Sequence, residues 1–314
     1  MLSLGLCGLG SAARRAHLPA IERGPAAVTA VCDPDPARFS LAPAAQGFTG
    51  VKALLDAVSV ELLVIASPPS AHLGAIAAAA ARDVDVLCEK PLGLNHDDVI
   101  ELRAIRSRHP GVLLATVLQY RYSPGWQAVS RTVSEHRDRP FAIRVEVERP
   151  GTDPLSAGGW RASGRREGGI LGDHGVHYLA LLSDLDDEVE VLDCHQSGDP
   201  GRETAEVRLR VGPGEASILV SYAGERRRNL VEAILAGGTT VHWEGDRLSG
   251  SGLNGSGPER RVGALSDRDH VNALYADLYG ELLEHRGDAA WRERATASTL
   301  RVAGLLASCL DAAR

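Results

Sequence analysis

The feature that most constrains this fold is a glycine-rich turn close to the N-terminus. Apolar and small residues at positions 2–7 lead into Gly8-Leu9-Gly10-Ser11-Ala12-Ala13, which fits the pattern G-x-G-x-x-A. A strand that passes through such a turn into a helix is the first unit of a dinucleotide-binding α/β fold. There, Gly8 permits the tight turn, Gly10 lets a diphosphate approach the backbone, and Ala13 lets the helix pack closely on the strand.

The first third of the chain continues with short apolar runs that alternate with helical patterns. The helix after the turn begins near Ser11 and Ala12, where free N–H groups would face the phosphates. We predict strands over 2–7, 28–32, 62–66, 84–88 and 112–118, and helices over 12–21, 70–81 and 97–108. The strands are continuously apolar, which is typical of parallel strands covered by helices on both faces. This pattern predicts an N-terminal Rossmann domain.

After residue 118 strands follow one another with few helices between them. Segment 142–148 has a period of two, which predicts one apolar and one polar sheet face. Further strands are predicted over 189–195, 206–211, 216–222, 230–235 and 239–243, with closing helices over 269–285 and 289–313. We therefore predict an α/β protein with two domains, 1–118 and 119–314, the second being α+β with a largely antiparallel open sheet.

Composition argues against several classes of protein. The chain has 34 basic and 41 acidic residues, a net charge of −7, and no long basic segment, so nucleic acid is not expected as a partner. The longest apolar stretch is too short to span a membrane, and the N-terminus lacks the basic segment of a secretory signal. Five scattered cysteines without a C-x-x-C pair predict neither a disulfide framework nor a metal site. We expect a cytoplasmic protein.

Asp33 directly follows the second predicted strand, twenty residues after Ala13. A carboxylate at this position accepts hydrogen bonds from the ribose hydroxyls and repels a 2′-phosphate, which favours NAD over NADP. Asp33 could instead cap the turn before Pro34. Arg38, five residues further on, could reach a 2′-phosphate, so NADP stays possible.

Further motifs follow the glycine-rich turn in a characteristic order. They are Ile65-Ala66-Ser67-Pro68-Pro69-x-x-His72, Glu89-Lys90-Pro91, Trp160-Arg161, and the run from Gly168 to His177, which reads GGILGDHGVH. With this set of motifs the chain resembles the Gfo/Idh/MocA oxidoreductases over essentially its whole length. The resemblance implies a nicotinamide cofactor, and a second domain with a substrate pocket on one side of its sheet. It also implies that the other face of that sheet joins subunits into a homodimer or homotetramer.

The resemblance extends the predicted cofactor site beyond the glycine-rich turn. The additional cofactor residues that it implies are Ser67, Pro68, His72, Glu89 and Lys90. It also suggests a cis peptide bond between Lys90 and Pro91.

Three residues match the family's catalytic positions: Lys90, Asp173 and His177. Lys90 ends a predicted strand at the edge where ligands of such sheets bind, and its ammonium can stabilise a substrate alkoxide. It could also be a solvated partner of Glu89. Asp173 and His177 are four residues apart, so a helix over 171–182 would place both on one face. His177 suits a general base near neutral pH, and Asp173 can orient it.

Each of these residues also has a structural interpretation. Asp173 could be a charge at a helix N-terminus, and His177 a core histidine. A metal site formed by His174 and His177 is a weaker alternative because no Cys or Glu lies near them in sequence.

The predicted substrate pocket includes residues outside the catalytic set. Gln119, Arg121 and Tyr122 follow the last strand of the first domain, and Trp160 and His174 lie further along the chain. With the catalytic residues Lys90, Asp173 and His177, these five residues form the predicted pocket. Arg121 could bind an anionic or hydroxyl-rich substrate or form an interdomain ion pair, and Trp160 could be a pocket wall or a core residue.

The sequence thus predicts an NAD(P)-dependent dehydrogenase or reductase. Its expected substrate is a secondary alcohol or ketone of a sugar, cyclitol or related small polar molecule. A hydrolase or lyase that recycles a tightly held NAD is one alternative, and a non-catalytic nucleotide-dependent sensor is another.

Overall fold

The computed structural model describes residues 1–136, 139–150, 167–253 and 259–313. By its internal packing the chain divides into two compact units. The first contains 1–117 and 275–303, and the second contains 118–274 and 304–314. The predicted boundary at residue 118 separates a nucleotide-binding from a substrate-binding domain, and as a division of function it stays a prediction.

The elements agree with the predicted α/β class. In chain order the strands are β1 Leu2–Cys7, β2 Ala26–Cys32, β3 Gln46–Phe48, β4 Leu62–Ile65, β5 Asp85–Cys88, β6 Leu114–Thr116, β7 Phe141–Pro150, β8 Val189–Ser197, β9 Thr204–Val211, β10 Gly214–Gly224, β11 Arg228–Leu235, β12 Thr240–Glu244, β13 Arg247–Ser249 and β14 Arg260–Arg261. The α-helices are α1 Leu18–Ile21, α2 Val51–Ala57, α3 His72–Ala80, α4 His96–Arg108, α5 Pro124–Ser134, α6 Val176–Ser183, α7 Arg268–His285 and α8 Ala289–Ala312. None of the helices in these described ranges is long and apolar enough to cross a membrane.

The first unit is built on a parallel sheet of six strands in the order β3-β2-β1-β4-β5-β6. Every neighbouring pair in it is parallel. Strands β4 and β5 are buried along their whole length, as expected when helices cover both faces. The predicted Rossmann domain is therefore confirmed, although β3 and α2 were not predicted.

Helix α8 returns the chain to this first sheet. The Arg292 guanidinium donates to both carboxylate oxygens of Asp85 at 2.8 and 2.7 Å. Leu114 N–H donates to Thr296 Oγ1 at 3.2 Å. Asp85 belongs to β5 and Leu114 to β6, so these bonds explain why residues 275–303 pack with the N-terminal part of the chain.

The second unit contains an eight-stranded sheet in the order β14-β13-β12-β11-β7-β10-β9-β8. Its neighbours are antiparallel except for β7 and β10, which pair in parallel. This pair can be parallel because a long connection through α6, β8 and β9 separates the two strands. Strand β7 alternates between buried and more exposed residues, as predicted.

Candidate functional site

The glycine-rich turn lies at the carboxyl edge of the parallel sheet. Gly8 has a φ of +90°, and a Cβ there would lie 2.5 Å from the backbone nitrogen of Ser67. A Cβ on Gly10 would meet no atom within 4 Å, so the backbone at this position is open to a ligand. Ala13 is fully buried in the helical segment that follows. The turn thus has the close packing on one side and the open backbone on the other that a diphosphate requires.

The helical segment predicted over 12–21 is present, but its first part is a π-helical turn, Ala13–His17, that continues into α1. The structure places Ser11 and Ala12 directly before this turn.

Asp33 is buried beside the glycine-rich turn. Its Oδ2 accepts a hydrogen bond from the Leu9 N–H at 2.8 Å, and its Oδ1 accepts one from the Asp35 N–H at 2.9 Å. Arg38 is half-exposed and its Nη1 lies 3.4 Å from Asp33 Oδ2. Both the carboxylate predicted to select NAD and the cation that could accept a 2′-phosphate therefore lie at this position.

His72 joins the loops that follow β4 and β5. Its Nε2 lies 2.9 Å from the carbonyl oxygen of Ser67, and its Nδ1 lies 2.9 Å from that of Pro91. Pro68 lies between Ser67 and the 3₁₀ turn that leads into α3. The structure thereby brings the predicted cofactor residues of the first unit to one edge of the sheet.

Glu89 follows β5 and is bonded on several sides. Its Oε1 lies 3.1 Å from Nε2 of His17 and accepts the Tyr275 hydroxyl at 2.8 Å. Its Oε2 accepts the Lys90 N–H at 3.3 Å. Burial by itself raises the pKa of the Glu89 carboxyl. The hydrogen bond from His17 and the charges of His17 and Lys90 outweigh burial and lower this pKa to about 2. Lys90 itself is half-buried, and the Lys90–Pro91 bond is cis, as the family resemblance suggested.

The predicted helix over 171–182 is present in the second unit, but it begins with a π-helical turn, Leu171–Gly175, before α6. Asp173 is buried in this turn, and its Oδ2 accepts the Tyr222 hydroxyl at 2.7 Å. Nε2 of His174 lies 3.7 Å from the same oxygen. His177 is buried in α6, and its ring stacks on Tyr120 with centroids 4.2 Å apart.

Sequence reasoning missed Tyr120 and Tyr222, although it named the neighbours of Tyr120. Tyr120 lies in the 3₁₀ turn Gln119–Tyr122, and its ring also meets that of Tyr178 edge-on at 5.9 Å. Burial raises the pKa of Tyr120, and the charge of Arg149 opposes that rise. No local pattern singles out either tyrosine, because each meets its partner about fifty residues away in the chain.

A buried arginine, also missed, lies behind these aromatic residues. Arg149 is 3% exposed, and it donates to the Arg228 carbonyl at 3.0 Å and to Asn229 Oδ1 at 2.9 Å. The Tyr178 hydroxyl donates to the same Asn229 oxygen at 3.1 Å. These bonds satisfy a guanidinium that would otherwise be costly to bury.

The other predicted substrate residues have different surroundings. Arg121 pairs with Asp184: Nε lies 2.6 Å from Oδ2, and Nη2 donates to Oδ1 at 2.8 Å. Both residues belong to the second unit, so this ion pair lies within one unit. The two roles predicted for Arg121, in substrate binding or in an interdomain ion pair, stay predictions. Gln119 is buried, and among the described residues its Oε1 has no hydrogen-bond partner. Tyr122 is half-buried, and Trp160 lies outside the described residues.

Comparison with known proteins supports the resemblance. A model of the oxidoreductase family's NAD-binding Rossmann fold, GFO_IDH_MocA, matches residues 2–116. The model of that family's C-terminal α/β domain matches residues 138–274. Together the two models cover most of the chain and confirm the predicted fold and NAD as the cofactor.

Individual curated relatives match only part of this chain. D-apiose dehydrogenase of Paraburkholderia graminis is 29% identical over 215 residues, which are 65% of this chain and 56% of that protein. Matches to the curated relatives span about half of their length.

Two solved structures have the same fold over nearly all of both chains. An oxidoreductase from Agrobacterium radiobacter, in complex with NAD+, L-tartaric acid and magnesium, has a TM-score of 0.79 at 21% identity, covering 99% of this chain and 96% of that one. The WlbA dehydrogenase from Bordetella pertussis, in complex with NADH and UDP-GlcNAcA, has a TM-score of 0.77 at 22% identity, covering 100% and 95%. On the evidence of both domain models, the chain belongs to the Gfo/Idh/MocA family of oxidoreductases.

Proposed function

We propose that this protein is a dehydrogenase or reductase that moves a hydride between NAD and a secondary alcohol or ketone carbon of a small polyhydroxylated substrate. The observation that carries the proposal is the buried pair Asp173 and His177, each held by a tyrosine in the second unit. Acid–base catalysis requires ionisable groups that are held in a fixed position, and these two contacts hold both groups. NAD, when bound, would supply or accept the hydride.

The cofactor residues proposed are those at the carboxyl edge of the parallel sheet. The open backbone at Gly10 suits the diphosphate, and the Asp33 carboxylate suits the ribose hydroxyls. The complete proposed set is Gly8, Gly10, Ser11, Ala12, Ala13, Asp33, Arg38, Ser67, Pro68, His72, Glu89 and Lys90.

Lys90 is proposed to hydrogen-bond the reacting substrate oxygen and to stabilise it as negative charge develops. Of the 34 basic residues, Lys52 and Lys90 are the two lysines and the rest are arginines. Arginine does not give up its proton in proteins, whereas lysine can. Lys90 is thus one of two basic side chains, histidines aside, that could take part in proton exchange.

His177 is proposed as the general base that takes the hydroxyl proton during oxidation and returns it during reduction. Its stack on Tyr120 fixes the plane of the imidazole, which a proton transfer of defined direction requires. Asp173, held by Tyr222, is proposed to orient the imidazole or a neighbouring substrate hydroxyl. Gln119, Arg121, Tyr122, Trp160 and His174 complete the proposed substrate pocket.

Related proteins support the substrate class. The D-apiose dehydrogenase acts on a sugar, and the two solved structures hold tartaric acid and a UDP-linked sugar acid. All three molecules carry several hydroxyl groups. We therefore propose a sugar, a cyclitol or a derivative of either.

The exposed face of the second sheet is proposed to join subunits into a homodimer or homotetramer. This face is polar rather than apolar, since Arg228 contacts Glu146 on β7 and donates to Glu244 on β12 at 2.6 Å. Such a charged face can pair with a second copy through complementary contacts.

The test is NADH formation with a panel of sugars, cyclitols, sugar acids and nucleotide sugars. We expect one class to be oxidised, and Lys90→Met and His177→Ala each to reduce turnover by roughly 100- to 10,000-fold. Lys52→Met is the matched control. Equal turnover in Lys90→Met and Lys52→Met would refute the role of Lys90. Substrate conversion without net NADH would instead favour the NAD-recycling hydrolase or lyase.

A further inference from the structure

A closed network of buried side chains lies behind the His177 imidazole in the second unit. Arg149 Nη2 donates to Asn229 Oδ1 at 2.9 Å, and the Tyr178 hydroxyl donates to the same oxygen at 3.1 Å. The Tyr178 ring meets that of Tyr120 edge-on, with centroids 5.9 Å apart. Tyr120 in turn stacks on His177 at 4.2 Å. One amide oxygen is thereby connected, contact by contact, to the imidazole.

Arg149 determines which way round the Asn229 amide lies. A guanidinium has only donors, so the amide must turn its oxygen, and not its nitrogen, toward Arg149. Arg149 itself is held by the backbone, because its Nη1 donates to the carbonyl oxygens of Glu148 and Arg228 at 2.7 and 3.0 Å. These two residues pair across the neighbouring strands β7 and β11. The sheet therefore sets the position of the amide oxygen that the Tyr178 hydroxyl meets.

Burial makes each of these hydrogen bonds important. Arg149, Asn229 and Tyr178 are all buried, so water cannot replace a lost partner. Among the described residues Asn229 Nδ2 has no hydrogen-bond partner, so the oxygen's two bonds are the ones that hold this side chain. Burial also raises the pKa of the Tyr120 hydroxyl, while the charge of Arg149 and a hydrogen bond from its side chain oppose that rise. Arg149 thus contacts Tyr120 directly as well as through Asn229 and Tyr178.

We propose that Asn229, oriented by Arg149, is a positioning residue for His177. It fixes the Tyr178 hydroxyl, and Tyr178 supports the ring of Tyr120 that stacks on the imidazole. Tyr178 also directly follows His177 in α6, so a shift of one side chain displaces the helix that carries the other. This role rests on the function proposed above for His177. Asn229 acts through the two tyrosines and not on the substrate itself.

Hydrogen exchange at the histidine ring tests this role on the full chain. The hydrogen on the ring carbon between the two nitrogens is replaced by deuterium faster where water reaches the ring, and tandem mass spectrometry reads each histidine separately. His17 is fully buried in the first unit by its contacts with Glu89 and Tyr279, and it serves as the internal reference. The measured quantity is the ratio of the exchange rate of His177 to that of His17.

We expect Asn229→Leu to raise this ratio by about 5-fold or more, because the Tyr178 hydroxyl loses its acceptor and the support of the stack loosens. Tyr178→Phe removes the same hydrogen bond but keeps the ring, and should raise the ratio about 2- to 3-fold. This variant gives the answer where Asn229→Leu does not fold. Asn229→Asp keeps an oxygen for both donors and should retain the native ratio.

Steady-state kinetics provide a second measurement. In Asn229→Leu kcat should fall about 10-fold while KM stays within about 2-fold of the native value, because a misplaced base slows the chemical step without removing a substrate contact. Asn229→Asp should keep the native kcat.

A merely structural role predicts a different result. Val211→Ala, a buried apolar change on β9, is the control for loss of stability alone and should leave the exchange ratio unchanged. A native ratio in both Asn229→Leu and Tyr178→Phe, or an equal rise in Val211→Ala, overturns the proposal. Because exchange needs no turnover, normal activity in His177→Ala would refute the proposed function, while the exchange ratio would still decide whether Asn229 holds the imidazole.

Discussion

The rings of Tyr120 and His177 lie face to face, with their centroids 4.2 Å apart and their planes inclined by 23°. Both side chains are buried in the second unit, one from a 3₁₀ turn and the other from α6. A stacked neighbour restricts rotation of the imidazole, and so fixes the direction in which its ring nitrogens point. This contact is the basis of the first prediction.

Tyr120→Leu should reduce kcat about 10- to 100-fold, because loss of the stack lets the imidazole of His177 move from its productive position. Tyr120→Phe keeps the ring and should stay within about 3-fold of the native kcat. Steady-state kinetics on the substrate found in the panel would measure both. Equal losses in the two variants would mean that the hydroxyl, and not the stack, matters.

Tyr222→Phe should destabilise the second unit by about 1–3 kcal/mol, because it leaves a buried oxygen of Asp173 without its donor. Urea unfolding would measure this loss. In Asp173→Asn the amide oxygen can still accept the tyrosine hydroxyl, so this control variant should keep the hydrogen bond. A Tyr222→Phe variant as stable as the native protein would show that this hydrogen bond contributes nothing.

Asp33→Asn should weaken discrimination against NADP by about 10-fold, because it removes a negative charge that repels the 2′-phosphate. The amide oxygen can still accept the Leu9 N–H, whereas the Asp35 N–H loses its acceptor. Arg38→Gln is the matched control and should shift the preference toward NAD. Titration of both nucleotides by intrinsic fluorescence would give the two affinities. An unchanged ratio in Asp33→Asn would remove Asp33 from cofactor selection.

Stability should fall in acid because of Glu89. Its pKa is lowered from 4.5 to about 2 in the folded chain, so its contribution is fully present above pH 4.5 and is lost as the pH falls toward about 2. The contribution is about 3 kcal/mol when the shift is converted to free energy. Urea unfolding at a series of acidic pH values would measure it, and Glu89→Gln should lack this part of the slope. A slope identical to that of the native protein would contradict the assignment to Glu89.

Much of the first unit could be predicted because its signals are local. The glycine pattern, the continuously apolar strands and the position of Asp33 all depend on neighbours in sequence, and the structure has the predicted parallel sheet. The missed elements lack such signals. Strand β3 has three residues, too few to show a period, and α2 has seven.

Helix α5 shows how tertiary packing overrides a local signal. Its first residues are Pro124 and Gly125, which resemble a turn in sequence. Proline is well suited to the first position of a helix. A Cβ on Gly125 would lie 2.2 Å from the ring of Trp243, so the glycine is required by a strand more than a hundred residues away.

The candidate site also contains residues that local sequence patterns predict and residues that they do not. The motifs at Lys90, Asp173 and His177 could be read from residue type and spacing, because each lies in a recognisable local pattern. The residues that support them could not be predicted, because each is distant in sequence from its partner. His17 contacts Glu89 across 72 positions. Tyr222 contacts Asp173 across 49 positions, and Tyr120 contacts His177 across 57. By itself the sequence determined which chemical groups are available and which elements carry them. Only the tertiary structure decided which buried partners fix them, because such contacts depend on how distant elements pack and leave no periodic trace in the chain.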